Sequence, residues 1–338
     1  MRTTARTATA ASTLAVVTCM AMAGCVAGEG AAVEAGGSEW STDTLNIDFA
    51  TYNPLSLVVK DQGLIEEELG ESVTVTWLQS AGSNKANEAL RAGAVDVGST
   101  AGSAALLARA NGSPIKAIDI YSQPEWSAIV VPEGSDIASV EQLAGKSVAA
   151  TKGTDPYFFL LQSLDAAGVD PADVEVQNLQ HADGRAALDN GSVQAWSGLD
   201  PIMAAAQAES GAKLIYRNID FNTYGFLNAR EDFLADHPDV AQVVVDAYEE
   251  ARAWSLDHPE ELSELLAEAA GIDTQVAATV IKERTVLDLD PVPGEKQRAV
   301  LEVVGPIFVE SGDVAKQSDV DAALDSLFEP TFAEQAGE

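Results

Sequence analysis

Two short stretches set small residues and hydroxyls where a strand ends and a helix begins. In TKGTDPYF, residues 151–158, Gly153 permits close backbone approach, Thr154 adds a hydroxyl, Asp155 suits an N-cap and Pro156 the first helical position. In GSTAGSAALLARANG, residues 98–112, Ser99 and Thr100 close a strand, Ala101 and Gly102 turn the chain, and Ser103 opens a helix. The unpaired amides and dipole of a helix start attract anions. Two such starts, closing from opposite sides, could hold a small oxyanion with no arginine. Each charge-assisted hydrogen bond is worth about 1.5–3 kcal/mol, so four or five would reach the roughly 8 kcal/mol of a micromolar complex. Against this, most helix starts carry Ser, Thr or Asp and bind nothing. Asp155 raises a further alternative: its carboxylate either fills the amides itself and repels an anion, or meets the cationic end of a zwitterion.

The elements that must position these turns are legible as an alternation. LNIDFAT, a helix over 54–69, VTVTWLQ, a helix over 85–91, VDVGST, a helix over 103–110, IKAIDIY and SAIVV follow one another. VPEGSD breaks the pattern, and SVAATK, a helix over 156–167, VEVQNL, a helix over 185–188, VQAWSG, a helix over 201–210 and AKLIYRN repeat it. Strands separated by helices of this length predict parallel β-α-β units in two αβ lobes. Residues 88–100, EALRAGAVDVGST, echo residues 186–198, AALDNGSVQAWSG, and put Ser99 and Ser197 at carboxyl ends of strands, where open α/β sheets bind ligands. After Asn228 the pattern becomes helical, with Pro238 and Pro259 at first-turn positions, and this tail is expected to pack on the first lobe.

Composition narrows the function. The 338 residues are 46% apolar, and 19 basic against 53 acidic residues give a net charge of -34. Nucleic-acid binding is excluded, because phosphate neutralisation needs clustered Lys and Arg. The start of the chain, MRTTARTATAASTLAVVTCMAMAGC, has two arginines, a moderately apolar stretch and then Ala-Gly-Cys. That pattern predicts a signal peptide over 1–24, and the small residues before Cys25 resemble the box of bacterial lipoproteins, in which this cysteine is acylated. Residues 25–42 read as a flexible linker rich in Gly, Ala and Glu. Export with a lipid anchor on the outer face of the cell membrane is the expectation. Cys19 leaves with the signal, so the mature domain would hold no disulfide and no cysteine metal site.

GLIEEEL, ALRAGAVDVGSTAG, SAIVVPEGSDIASVEQLAGKSVAATKGTDPYFFLLQSLDAAG, HADGRAALDNGSVQAWSGLDP and HPDVAQVVVDAYEEA together resemble the binding proteins of ABC importers for aliphatic sulfonates, taurine and nitrate. The resemblance implies an α/β, periplasmic-binding-protein-like (type II) fold, with two lobes and a hinged cleft. The first lobe would comprise residues 43–131 and 222–338, the second residues 132–221, with crossings near Pro132 and Phe221. It implies a ligand loop at Tyr52 and Asn53, a first-lobe anion loop over Thr100, Ala101, Gly102 and Ser103, and a second-lobe loop over Gly153, Thr154 and Asp155. Many relatives carry an amide where Asp155 stands. Trp196 and Asp200 match an Asp-Ala-Trp-x-x-Trp-Asp-Pro pattern, from which Gln194 and Leu199 depart.

Trp126 and Tyr224, near the crossings, could pack on a ligand, though a Trp between strands is usually core. Arg185 reads as a solvated helix arginine, and the scattered His181, His237 and His258 do not suggest metal or general-base chemistry. The expected function is capture of a small organic anion, an aliphatic sulfonate or taurine, by a monomer that delivers it to a permease and its ATPase. No cofactor, metal or catalytic residue is expected. The rival ligands are nitrate or a thiamine-pyrimidine or other heteroaromatic. A sensor domain and an enzyme of the pyrimidine synthase type are the other readings; the enzyme would need a lysine and a reactive histidine, and Lys152 is the one lysine in a cleft loop.

Overall fold

The computed structural model describes residues 40–336. The expected signal peptide, Cys25 and the linker up to residue 39 lie outside them. Strand β1 (Thr44–Phe49) leads into α1 (Pro54–Gln62), which starts where Asn53 Oδ1 accepts from the Ser56 amide. The helix expected over 54–69 is divided at Gly63, whose φ of 66° is a left-handed stop, so α2 (Leu64–Leu69) begins anew. Then come β2 (Thr74–Gln79), α3 (Ser83–Ala92), β3 (Val97–Ala101), α4 (Gly102–Ala110) and β4 (Ile115–Pro124). The middle of the chain forms β5 (Ser127–Val131), β6 (Ser147–Ala150), α5 (Asp155–Ala166), β7 (Glu175–Asn178) and α6 (His181–Asp189). It continues with β8 (Ala195–Leu199), α7 (Ile202–Ser210), β9 (Lys213–Tyr216) and β10 (Gly225–Arg230). The rest is α8 (Glu231–Asp236), α9 (Pro238–Asp257), α10 (Pro259–Ala270), α11 (Thr274–Arg284), β11 (Thr285–Val286), α12 (Glu295–Glu310), α13 (Gln317–Ser326) and α14 (Thr331–Ala336).

The strands make two sheets, one ordered β11-β4-β10-β3-β1-β2 and the other β7-β6-β8-β5-β9. The echo between residues 88–100 and 186–198 has a topological counterpart. β3 lies between parallel β1 and antiparallel β10, and β8 lies between parallel β6 and antiparallel β5. The chain changes sheet twice, between β4 and β5 and again between β9 and β10. The first passage is the short link at Glu125 and Trp126, ahead of Pro132, because the fully buried SAIVV strand pairs with β8 and β9 of the second sheet. The return spans residues 217–224 and includes Phe221.

The helical tail braces more than the first sheet. α9 packs on α1, α2 and β4, and α12 and α13 pack on α4, yet α11 also meets α7 and α12 meets α5. A cluster of buried apolar residues therefore runs through both halves: Leu106 of α4, Phe158 and Leu160 of α5, and Phe308 of α12. The Phe158 and Phe308 rings stand 4.6 Å apart. Each buried phenylalanine stabilises this joint by about 1.5–3 kcal/mol, and it holds the two sheets against each other around the turns after β3 and β6.

Candidate functional site

The first two amides of the turn from β3 into α4 are taken by the protein's own groups. The Gly102 amide donates to the Tyr224 carbonyl at 2.9 Å and the Ser103 amide to Thr223 Oγ1 at 3.1 Å. The anion that this turn receives is the side chain of Asp155, at the start of α5. Ser103 Oγ donates to Asp155 Oδ1 at 2.5 Å and Thr223 Oγ1 to the same oxygen at 2.7 Å. The Thr223 amide and Trp126 Nε1 donate to Oδ2 at 2.7 and 2.8 Å. Both carboxylate oxygens thus accept twice, and every donor is neutral. Burial pushes the Asp155 pKa up, and these hydrogen bonds oppose the rise.

Asp155 joins three parts of the fold, since Ser103 belongs to the first sheet's α4 while Trp126 and Thr223 lie on the two passages between sheets. A second buried carboxylate lies across Trp126. Asp200 accepts from Arg284 Nη1 at 2.9 and 3.1 Å, and from the Ala204 amide of α7 at 2.9 Å. Arg284 Nη2 also donates to Gln207 Oε1 at 2.6 Å. Burial raises the Asp200 pKa, and the guanidinium draws it back.

Between these two corners the rings of Tyr52 and Trp126 meet edge to face, with centroids 6.1 Å apart. One cavity of about 10 Å³ lies toward Asp155, walled by Tyr52, Ser83, Ala101, Trp126, Thr154, Asp155, Pro156, His181 and Leu199. A second, also about 10 Å³, lies toward the Asp200–Arg284 pair and includes Pro124, Leu266 and Ile281. Each has room for about one water molecule. This is a closed cleft. Wider grooves lie on the surface, one of about 650 Å³ between α5 and α12 and one of about 620 Å³ between α3 and α4.

His181, the first residue of α6, reaches the Asp155 cavity with 1% of its surface exposed. Thr151 Oγ1 donates to the Leu179 carbonyl at 2.7 Å and lies 3.1 Å from His181 Nδ1, so toward the imidazole it accepts and Nδ1 carries the hydrogen. Burial lowers the His181 pKa to about 4, which keeps the ring neutral. Nε2 is therefore a bare acceptor, and it has no partner among the described residues.

Several residues expected at the site converge there: Tyr52, Ala101, Ser103, Trp126, Thr154, Asp155 and Asp200 all line a cavity or bond to a residue that does. Others are placed in the framework. Asn53 caps α1 and donates to Tyr248 Oη at 3.1 Å. Ser99 binds Asp48 Oδ1 through both amide and hydroxyl at 2.8 Å, Thr100 Oγ1 donates to the Ala101 carbonyl, and Gly102 is spent on Tyr224. Gly153, with φ of 76°, borders the groove between α3 and α4. Trp196 is fully buried under α6, where a Cβ on Gly184 would stand 2.8 Å from Trp196 Nε1; it is core, because odd and even residues of β8 face opposite sides of the sheet. Tyr224 is only partly buried, and its neighbour Thr223 takes the polar role. Lys152 Nζ lies over the Tyr157 ring, 5.4 Å from its centroid, on the surface groove.

Sequence reading missed Ser83, His181, Thr223 and Arg284. Thr223 was adjacent to a residue already marked, and His181 opens the helix three residues after the end of β7, near a strand's carboxyl end, where open α/β sheets bind ligands. Arg284 carried no local signal.

A family described as NMT1/THI5 like matches residues 69–262. The chain is 29% identical to the "Putative aliphatic sulfonates-binding protein" of Escherichia coli (strain K12), over 88% of this chain and 92% of that one. It is 26% identical to the "Taurine-binding periplasmic protein" of the same organism, over 69% and 73%. The crystal structure of the periplasmic aliphatic sulphonate binding protein SsuA from Escherichia coli superposes with a TM-score of 0.73 and 26% identity, covering 86% of this chain and 93% of that one. The desulfurization enzyme DSZB shares the fold at a TM-score of 0.64 and 16% identity, covering 87% and 99%. The fold is thus periplasmic-binding-protein-like.

Proposed function

The chain belongs to the NMT1/THI5-like family, and from that premise we propose that it is the extracytoplasmic solute-binding component of an ABC importer. In this reading it captures a small organic anion, an aliphatic sulfonate or taurine, between its two sheets and delivers it to a membrane permease served by an ATPase. The solute-binding role rests on the relatives, which carry the names of binding proteins. The observation that carries the anion is the Asp155 corner: an oxyanion is already seated there on neutral donors from Ser103, Trp126 and Thr223. When the sheets part at their two passages, Asp155 and Ser103 separate and those donors become available to a sulfonate. Hinged closure of two halves around a ligand is a common motion. The hydroxyl beside His181, Thr151 Oγ1, gives its hydrogen to the Leu179 carbonyl rather than to the ring, and Lys152 lies over the Tyr157 ring on the surface groove, so neither residue builds a catalytic pair among the described residues.

The remaining parts of the reading are export, acylation at Cys25, a monomeric state, and lobes that meet along the cleft. The Tyr52–Trp126 ring pair supports a heteroaromatic ligand as the second candidate. Isothermal titration with ethanesulfonate, taurine, nitrate and an aminopyrimidine separates these. Heat with either sulfonate and none with the pyrimidine is expected; no heat with either sulfonate would overturn the sulfonate reading.

A further inference from the structure

Seating a free oxyanion on the donors of Ser103, Trp126 and Thr223 displaces the carboxylate that now holds them. The displaced Asp155 stays in the same wall as Tyr52, Trp126 and His181. A plain alkanesulfonate would then leave two anions side by side in a closed, water-poor cleft, and like charges so placed oppose binding strongly. The guanidinium of the cavity across Trp126 gives no relief, because Arg284 is committed to Asp200 and Gln207. What the wall does offer is an acceptor: among the described residues His181 Nε2 is buried and without partner. Asn84 Oδ1, whose residue lines the neighbouring groove between α3 and α4, is likewise buried without partner among the described residues. The two flank Gly82: a Cβ there would stand 2.9 Å from each, so they lie within reach of one donor group.

Building on the sulfonate reading, we infer that the cleft is made for a zwitterion: its sulfonate takes the seat of Asp155, and its ammonium is met by the freed Asp155 carboxylate and by His181 Nε2. The ligand then enters with no net charge, so the cleft keeps the single negative charge it already holds, again seated on the neutral donors of Ser103, Trp126 and Thr223. His181 and Asp155 are the residues that make an ammonium a requirement, and His181 counts N–H donors because its lone pair can only accept.

The test compares taurine with ethanesulfonate, which differ by the amino group, by isothermal titration on the wild-type protein, Asp155→Asn and His181→Phe. Wild type should bind taurine about tenfold or more tightly than ethanesulfonate. Asp155→Asn should bring that ratio close to one by strengthening ethanesulfonate and weakening taurine, and His181→Phe should reduce it by weakening taurine alone. Equal affinities in the wild type, or tighter binding of ethanesulfonate, would overturn the inference while leaving the sulfonate reading intact. A ratio unchanged in both variants would overturn it too. If neither sulfonate binds, the sulfonate reading fails, and β-alanine against propionate poses the same question: a similar preference for the amine upholds the zwitterion site, and equal or absent binding removes it. Should a variant not fold, the wild-type ratios decide.

Discussion

Asp155 and Asp200 stand at the starts of two helices on the same sheet, both sealed from water and both tied to the other half of the molecule, yet they are neutralised in different ways. Asp155 rests on four neutral donors, whereas Asp200 is paired with the Arg284 guanidinium. Neutral donors can be handed to water or to a ligand oxyanion without leaving a charge behind. A guanidinium cannot be removed so cheaply, because separation strands two buried charges. On the proposed reading the corners have different tasks: the Asp155 side is the exchangeable seat, and the Asp200 side fixes the geometry around Trp126.

The largest effect should come from breaking the ion pair. Arg284→Met strands the Asp200 carboxylate and should lower stability by about 4 kcal/mol in urea unfolding, with most of it restored by adding Asp200→Asn. A loss below about 1 kcal/mol would erase the contrast between the corners. Next is Asp155→Ala, which leaves the Ser103, Trp126 and Thr223 donors without an acceptor at about 3 kcal/mol in the closed form. Here the sheets can part and let water in, so the expected signature is a larger radius of gyration in small-angle scattering, with a smaller fall in unfolding midpoint than Arg284→Met. An unchanged radius would mean that Asp155 does not hold the cleft.

The smallest effect is one of pH. Asp48, like Asp155, is held by neutral groups, the Ser99 amide and hydroxyl, and burial raises its pKa to about 6. Because this value lies above the ordinary 3.8, the native state binds more protons between the two, and the Asp48 contribution falls as pH rises through that window. Asp48→Asn should therefore add about 2 kcal/mol more at pH 8 than at pH 4. His181 works the other way: its pKa is depressed to about 4, so its contribution is lost as pH falls from its ordinary 6.5. The wild-type-minus-variant difference, measured by thermal unfolding across pH 4–8, isolates the Asp48 part. A gain independent of pH would show that desolvation of its charge is not what burial imposes there.

Much of this was legible in the chain. The strand and helix alternation, the echo that places β3 and β8 alike, and the proline starts of α9 and α10 are local patterns with local causes. Asp155 was legible as an unusual residue because a carboxylate at a helix start competes with any anion. Which of its two alternatives holds depends on where Ser103 and Thr223 lie, 52 and 68 residues away in sequence, and spacing along a chain does not carry that distance. The full burial of Trp196 was not legible for a related reason: the period of a strand tells that neighbours face opposite sides, but not which side faces the cleft. Arg284 comes from the helical tail, whose apolar pattern predicted packing on the first sheet and was silent about the polar end of α11.

The size of the two cavities has a kinetic consequence. At about 10 Å³ each, they admit nothing larger than water while the halves are together. On the proposed reading, capture waits for spontaneous opening, so the observed association rate should level off at high solute concentration, at a plateau equal to the opening rate and the same for every solute that fits.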